Sequence, residues 1–330
     1  MNFQGLKNVE TADWYLDLAF SSAKKDSDNL RNALRGSKAT RLEKSKKVEL
    51  QKLKTIKISL HKQFNLILRS FPSIDSLPEF YNELIRLTLE YDILKKSLGG
   101  VNWGADKIDH FTKEYNVKIR KCNNPTKIND HRREYYGRIS SILRQIKKNL
   151  AYLEEARRQM KDYPSIKTEM FTVCIAGFPN VGKSTLLNKM TGAKVEIKDY
   201  SFTTKRLNTG YYKHDYGKIQ FVDTPGTLNR FNKMNPIEQQ AYLAIRYCAD
   251  VLVYVFDLTE QYPLADQKKL LLELKKFDKD ILIYMSKTDI LEKEKVNAFL
   301  EKSNFKKVFV DAEELMEELV KRERKTDYAN

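Results

Sequence analysis

Apolar positions recur at steps of three and four through most of the first 166 residues. Leu53, Ile56, Leu60, Phe64 and Ile67 form one stripe, and Phe80, Leu84, Leu87, Tyr91, Leu94 and Leu98 a second. Ile108, Phe111, Tyr115, Ile119 and Cys122 form a third, and Ile139, Ile142, Leu143, Ile146, Leu150 and Leu153 a fourth. This period predicts amphipathic helices, each hiding one face. Breaks are expected at Phe71-Pro72, Gly99-Gly100 and Asn123-Asn124-Pro125, where glycine and proline disfavour a continuing helix. Helices with short connections predict an antiparallel bundle, elongated to over ~30 Å at 1.5 Å per residue. Pro164 closes the last helix, and residues 162–167 read as a junction.

The pattern then changes to short β-branched and apolar runs separated by helical segments. Phe171–Ala176, Val251–Phe256 and Ile281–Met285 read as buried parallel strands, Gly210–His214 and Ile219–Val222 as a strand pair, and Val308–Val310 as a shorter strand. Alternating strands and helices predict a three-layer α/β domain with ligands at the carboxyl ends of its strands. The expected organisation is therefore a helical bundle over residues 1–166 and an α/β domain over 167–330.

Composition adds limits. The chain is 41% hydrophobic and 32% charged, too apolar for a disordered chain. It has no run of ~18 apolar residues, which a membrane-spanning helix needs. The polar start MNFQGLKNVE is unlike a signal peptide. Cys122, Cys174 and Cys248 form no CxxC pair, so a disulfide framework or cysteine zinc site is not expected and a reducing, cytoplasmic setting is. His61, His110, His131 and His214 have no ligand-like spacing.

The net charge of +16 is uneven: residues 1–166 hold 33 Lys+Arg against 20 Asp+Glu, and the remainder 27 against 24. The most basic stretch carries Lys44, Lys46, Lys47, Lys52, Lys54, Lys57, Lys62 and Arg69, with Glu49 the only acid among them. Such asymmetry points to an anionic partner, a nucleic acid or an anionic membrane surface. A helical domain with a lysine-rich solvated face is the plainer reading.

Directly after the first strand stands Gly177-Phe178-Pro179-Asn180-Val181-Gly182-Lys183-Ser184-Thr185, which contains GxxxxGKS, the phosphate-binding loop. Its glycines let backbone N–H groups curl round phosphates, and the following helix adds a positive N-terminus. Lys183 would reach the β- and γ-phosphates and Ser184 would hold Mg²⁺. Asp223, opening Asp223-Thr-Pro-Gly226 at the end of a strand, would hold the same ion through water. The Gly226 N–H would touch the γ-phosphate, and in the segment between, Thr204 is expected to add a hydroxyl to Mg²⁺. Ser286-Lys287-Thr288-Asp289 follows a strand where an NKxD base reader would stand: Asp289 can accept from the guanine ring N–H and amino group, and the Lys287 stem can lie along the purine. Serine for asparagine at 286 is expected to lose a bond to the base or to the phosphate loop. After the last strand, only the Ala312 backbone N–H could serve the guanine. Position 227 is threonine where many GTPases place a water-orienting glutamine, so slow hydrolysis is expected. Asn180 either caps a turn or helps hold K⁺ beside the phosphates, as in potassium-activated GTPases. Arg230 reads as a surface arginine on a loop, with an arginine acting in cis on the phosphates as the alternative.

These motifs resemble the Obg-related translation-factor GTPases. Phe80-Tyr-Asn-Glu-Leu, Asp92-Ile-Leu-Lys-Lys-Ser-Leu-Gly99, Gly137-Arg-Ile-Ser-Ser-Ile-Leu-Arg-Gln-Ile-Lys-Lys, Tyr152-Leu-Glu-Glu-Ala-Arg-Arg and Asn235-Pro-Ile-Glu238 narrow the resemblance to the Nog-type nucleolar GTP-binding proteins. No long C-terminal extension like that of eukaryotic members follows, so the resemblance implies a compact archaeal form. It further implies GTP hydrolysis to GDP, with Mg²⁺, as a switch in large ribosomal subunit assembly. The partners it implies are precursor subunit rRNA, with ribosomal proteins or other assembly factors, and no membrane. Two alternatives stay open: a low-activity nucleotide-binding scaffold, and a membrane-surface, dynamin-like GTPase.

Overall fold

The computed structural model describes residues 3–192, 207–215, 217–225, 236–259, 262–302, 305 and 307–327. The chain divides into two compact units. One holds the residues up to Ser76 together with Ile85–Asp162; the other holds Leu77–Leu84 and Tyr163 onward.

The first unit is built on α1 (Ala12–Ala33), α2 (Arg41–Ser70), α4 (Tyr91–Lys121), α5 (Pro125–Gln145) and α6 (Lys147–Lys161). Local chemistry sets several of their ends. Thr40 and Glu43 close a reciprocal capping box on α2, and Asn124 caps α5 with Pro125 in its first turn. Leu53, Ile56, Leu60, Phe64 and Ile67 of α2 are all buried, as their spacing predicts.

Two expected features fall elsewhere. Gly99-Gly100 does not break the chain: α4 runs unbroken over 31 residues. A Cβ on Gly100 would lie 2.8 Å from the Asn149 amide, and one on Gly104 3.3 Å from Ile146 and 3.4 Å from Phe64. Gly100 and Gly104 thus let α4 lie close to its neighbours, and packing outweighs the ~1 kcal/mol that glycine costs a helix. The break occurs instead after Thr88, where α3 (Glu79–Thr88) ends, inside the stripe read as continuous from Phe80 to Leu98. The stripe from Ile139 to Leu153 crosses a one-residue joint at Ile146, which stays buried and keeps the pattern in phase.

The basic stretch of α2 is not uniformly solvated. Lys52 is buried and pairs with Glu49 at 2.8 Å, which also faces Arg132 at 3.4 Å. Lys57 pairs with Asp109 at 3.0 Å, and Lys46 donates to the Arg120 carbonyl. Lys47, Lys54, Lys62 and Arg69 are exposed.

The second unit carries a six-stranded sheet in the order β2-β3-β1-β4-β5-β6. The strands are β1 (Thr172–Ala176), β2 (Asn208–His214), β3 (Gly217–Asp223), β4 (Val251–Asp257), β5 (Asp280–Ser286) and β6 (Val308–Phe309). Only β2 runs antiparallel, against β3. Every residue of β1 and β4 is buried, as expected of parallel strands covered on both faces. The helices are α7 (Lys183–Thr191), α8 (Pro236–Cys248), α9 (Leu264–Leu274), α10 (Lys293–Lys302) and α11 (Ala312–Asp327). Residues 77–84 join this unit through Tyr81, whose buried hydroxyl accepts from the Ile166 N–H at 2.8 Å and lies 3.1 Å from the Pro164 carbonyl.

Candidate functional site

β1 lies between β3 and β4, where chain connections leave in opposite directions, and its carboxyl end opens into the phosphate-type loop. The loop is held in conformations that L side chains resist. Gly177 has φ +151°, and a Cβ there would meet the Val255 carbonyl at 2.7 Å; Gly182 has φ +94°. Asn180 sits between them at φ +60° and is exposed, a left-handed position that asparagine tolerates better than most residues. Phe178 and Val181 are buried, Pro179 half-buried, and Thr185 exposed on the first turn of α7.

Lys183 opens α7. Its side chain is buried and its ammonium donates to the Phe178 carbonyl at 2.7 Å, inside the loop's own ring. Burial pulls its pKa down to about 8, and the charge of Asp223 resists that fall. Such a cation is poorly compensated until an anion enters the loop. One residue on, the Ser184 hydroxyl donates to Asp223 Oδ2 at 2.6 Å. Asp223 ends β3, and the β1–β3 register sets it opposite Ile175. Burial raises the Asp223 pKa, partly offset by Ser184, Lys183 and Asn208. Its Oδ1 is buried and, among the described residues, meets no hydrogen-bond partner at bonding geometry. A hydroxyl beside a carboxylate with an idle buried oxygen is a donor set that suits a hard cation such as Mg²⁺.

β5 leads into residues 286–289, the segment expected from the sequence to read the base. Ser286 ends that strand, and its hydroxyl lies 2.6 Å from the Val181 carbonyl and 3.0 Å from the Phe256 carbonyl. The link to the phosphate loop, expected to be at risk with serine, is therefore made by the short side chain. Lys287 turns the chain at φ +55° and pairs with Asp257 at 2.6 Å. Asp289 lies exposed in the 3-10 turn Thr288–Ile290. The parallel β5–β6 register pairs Tyr284 with Phe309, so Ala312 leaves the sheet at the same edge as residues 286–289. Thr204 and Gly226, with Thr227 and Arg230, lie outside the described residues.

Asp257 and Gln267 were not singled out from sequence. The available signal was an acid ending the apolar run of β4, two residues before Thr259. The Asp257 Oδ1 accepts from both the N–H and the hydroxyl of Thr259. Burial alone would raise its pKa, but Lys287 and Thr259 together hold it below the usual value.

Comparison with known proteins bears on both units. A family model described as "NOG1 N-terminal helical domain" matches residues 3–167, and one described as "50S ribosome-binding GTPase" matches residues 172–287. The Methanocaldococcus jannaschii protein MJ1408 is 38% identical over 284 residues, which cover 85% of this chain and 80% of that one. Nucleolar GTP-binding protein 1 of Drosophila melanogaster is 30% identical over 298 residues, covering 89% of this chain and 45% of the relative. The protein of that name in Encephalitozoon cuniculi is 33% identical over 258 residues, covering 75% and 49%. The chain thus spans about half the length of these two nucleolar relatives.

Proposed function

The chain belongs to the NOG1 family and carries its GTPase domain, and from that premise we propose that it is a slow GTP-hydrolysing switch in large ribosomal subunit assembly. The observation that carries the chemistry is the buried, poorly compensated Lys183 beside the Ser184–Asp223 pair. The names of the relatives support the ribosomal setting, and the +13 charge of residues 1–166 supports rRNA as the partner of the helical unit. The cytoplasm is the setting this reading implies. No helix among the described residues is long and apolar enough to cross a membrane.

In this reading the backbone of residues 177–185 cradles the phosphates, and Lys183 balances charge at the β–γ bridge. Ser184, Asp223 and Thr204 would hold Mg²⁺, which offsets the negative charge of the phosphates. The Gly226 N–H contacts the γ-phosphate. Asp289 accepts from two guanine donors, a pair adenine does not offer; Ser286 ties the reader to the loop, and Ala312 adds a backbone N–H. With threonine at 227 no glutamine orients the attacking water, and Asn180 would compensate by holding K⁺. The exposed cations of α2 face rRNA.

Sedimentation of the tagged protein from lysate, with a non-hydrolysable GTP analogue, tests the setting. Migration with large-subunit particles is expected, and a protein that stays at the top of the gradient refutes it.

A further inference from the structure

The reader segment is supported from below by a chain of buried polar contacts. Gln267 of α9 is fully buried. Its Oε1 accepts from the Asp257 N–H at 3.0 Å, and its amide donates to the Asp257 carbonyl at 2.8 Å and the Tyr262 carbonyl at 3.0 Å. It thus pairs with both backbone groups of Asp257, as a further strand would. Tyr254 holds Gln267 in turn, donating from its hydroxyl to the Gln267 carbonyl at 2.7 Å. The Asp257 carboxylate takes two donors from Thr259 on one oxygen and the Lys287 ammonium on the other.

We propose that Asp257, fixed by Gln267, positions the Lys287 stem as the platform on which the purine base lies. This rests on residues 286–289 being the base reader. Three observations carry it. Ser286 bonds to Val181 in the phosphate loop, so Lys287 stands at the rim of that loop, where the base of a phosphate-bound nucleotide must follow. The left-handed backbone at Lys287 is a strained conformation of the kind held at functional sites. The Asp257 side chain is only 2% exposed while Lys287 is 25% exposed, so the carboxylate is buried to grip a side chain that itself reaches the surface. An ion pair whose lysine reaches the surface is a weak source of stability, which leaves orientation of the lysine as its use. Asp257 is accordingly a positioning residue: it acts through Lys287 and touches no nucleotide.

The test is titration of the full chain with a fluorescent GDP analogue, with unlabelled GDP and inosine diphosphate as competitors. Inosine lacks the exocyclic amino group, so Asp289→Asn should erode the preference for GDP over inosine diphosphate. Asp257→Asn should instead weaken both nucleotides by the same factor, about tenfold if one charge-assisted hydrogen bond is lost. In a Lys287→Met background Asp257→Asn should cost nothing further. Unchanged affinity in Asp257→Asn overturns the proposal, as does an equal loss in both backgrounds. Should Asp257→Asn not fold, Thr259→Ala removes only a hydroxyl donor from the same carboxylate. It should weaken binding about threefold, through Lys287 alone; no weakening, or a loss that persists without Lys287, overturns the proposal. If Asp289→Asn leaves the GDP preference intact, the reading of residues 286–289 fails and takes this inference with it. An intact Asp289 effect with a silent Asp257 sinks the inference alone.

Discussion

Ser286 has one hydrogen to donate, and two backbone carbonyls lie within reach of it. No donor at that position remains for a base, so under the proposed function discrimination would fall on Asp289. Asp289→Asn should weaken GTP by roughly 1.5–3 kcal/mol and favour xanthosine triphosphate, whose ring carries a carbonyl in place of the amino group. A competition titration reads both effects. Ser286→Ala removes the one hydrogen shared between the Val181 and Phe256 carbonyls; a buried acceptor left unpaired costs about 1–3 kcal/mol. The melting temperature of that variant should drop, with nucleotide affinity falling as the phosphate loop loses its tie. Asn180 allows a separate test. GTP turnover should be faster in KCl than in NaCl, and Asn180→Gly should erase the difference while accommodating φ +60°. Equal wild-type rates in the two salts remove the case for K⁺.

At the scale of elements, Glu154 ties the start of the chain to α6. Its carboxylate takes the Val9 N–H at 3.1 Å, Arg157 at 2.7 and 2.8 Å, and Arg158 at 2.8 Å. Partial burial alone would raise its pKa; the bonds from Arg157, Val9 and Arg158 outweigh that and hold it at about 2. Between the ordinary value of 4.5 and about 2 the folded chain therefore binds fewer protons here than the unfolded chain. The contribution of Glu154 is complete above that window and is lost as pH falls through it. Glu154→Gln should lower stability near neutral pH by roughly 1–3 kcal/mol and flatten the acid limb of the unfolding curve, read by circular dichroism. The elements also show how far pattern reaches. The α2 stripe was legible because each of its positions reports burial directly. The continuity of α4 was not, because a glycine pair reads alike whether it breaks a helix or lets another element come close. The Asn149 amide beside Gly100 decides between these, and it is distant in sequence.

For the whole molecule, the charge of the helical unit predicts salt-dependent binding to rRNA. The groups to test are the exposed Lys47, Lys54, Lys62 and Arg69. Lys52 is unsuitable: reversing it would set a carboxylate against buried Glu49 and unfold the unit rather than report on binding. Four phosphate contacts on single-stranded RNA would give a slope of log affinity on log salt near about −3. Reversing Lys47, Lys54 and Lys62 to Glu should flatten that slope and release the chain from large-subunit particles. Unchanged co-sedimentation would remove α2 from the interface.

The sequence by itself determined whatever rests on neighbours along the chain. It placed the phosphate loop, whose glycines, lysine and serine act within eight consecutive residues, and most helices and strands, whose periods are local. Its spacing also anticipated the approach of Ser184 and Asp223, because the loop leading to Ser184 leaves one strand that had to be buried and Asp223 ends another. Tertiary structure alone decided the rest. It placed Lys52 inside an ion pair instead of on the surface, grouped residues 77–84 with the unit that begins at Tyr163, and brought Gln267, Asp257 and Lys287 into one chain of contacts. A charged residue has no pattern that says whether a partner waits for it. Its burial depends on an opposite charge or a paired amide arriving from a distant element, and that meeting exists only once the chain has folded.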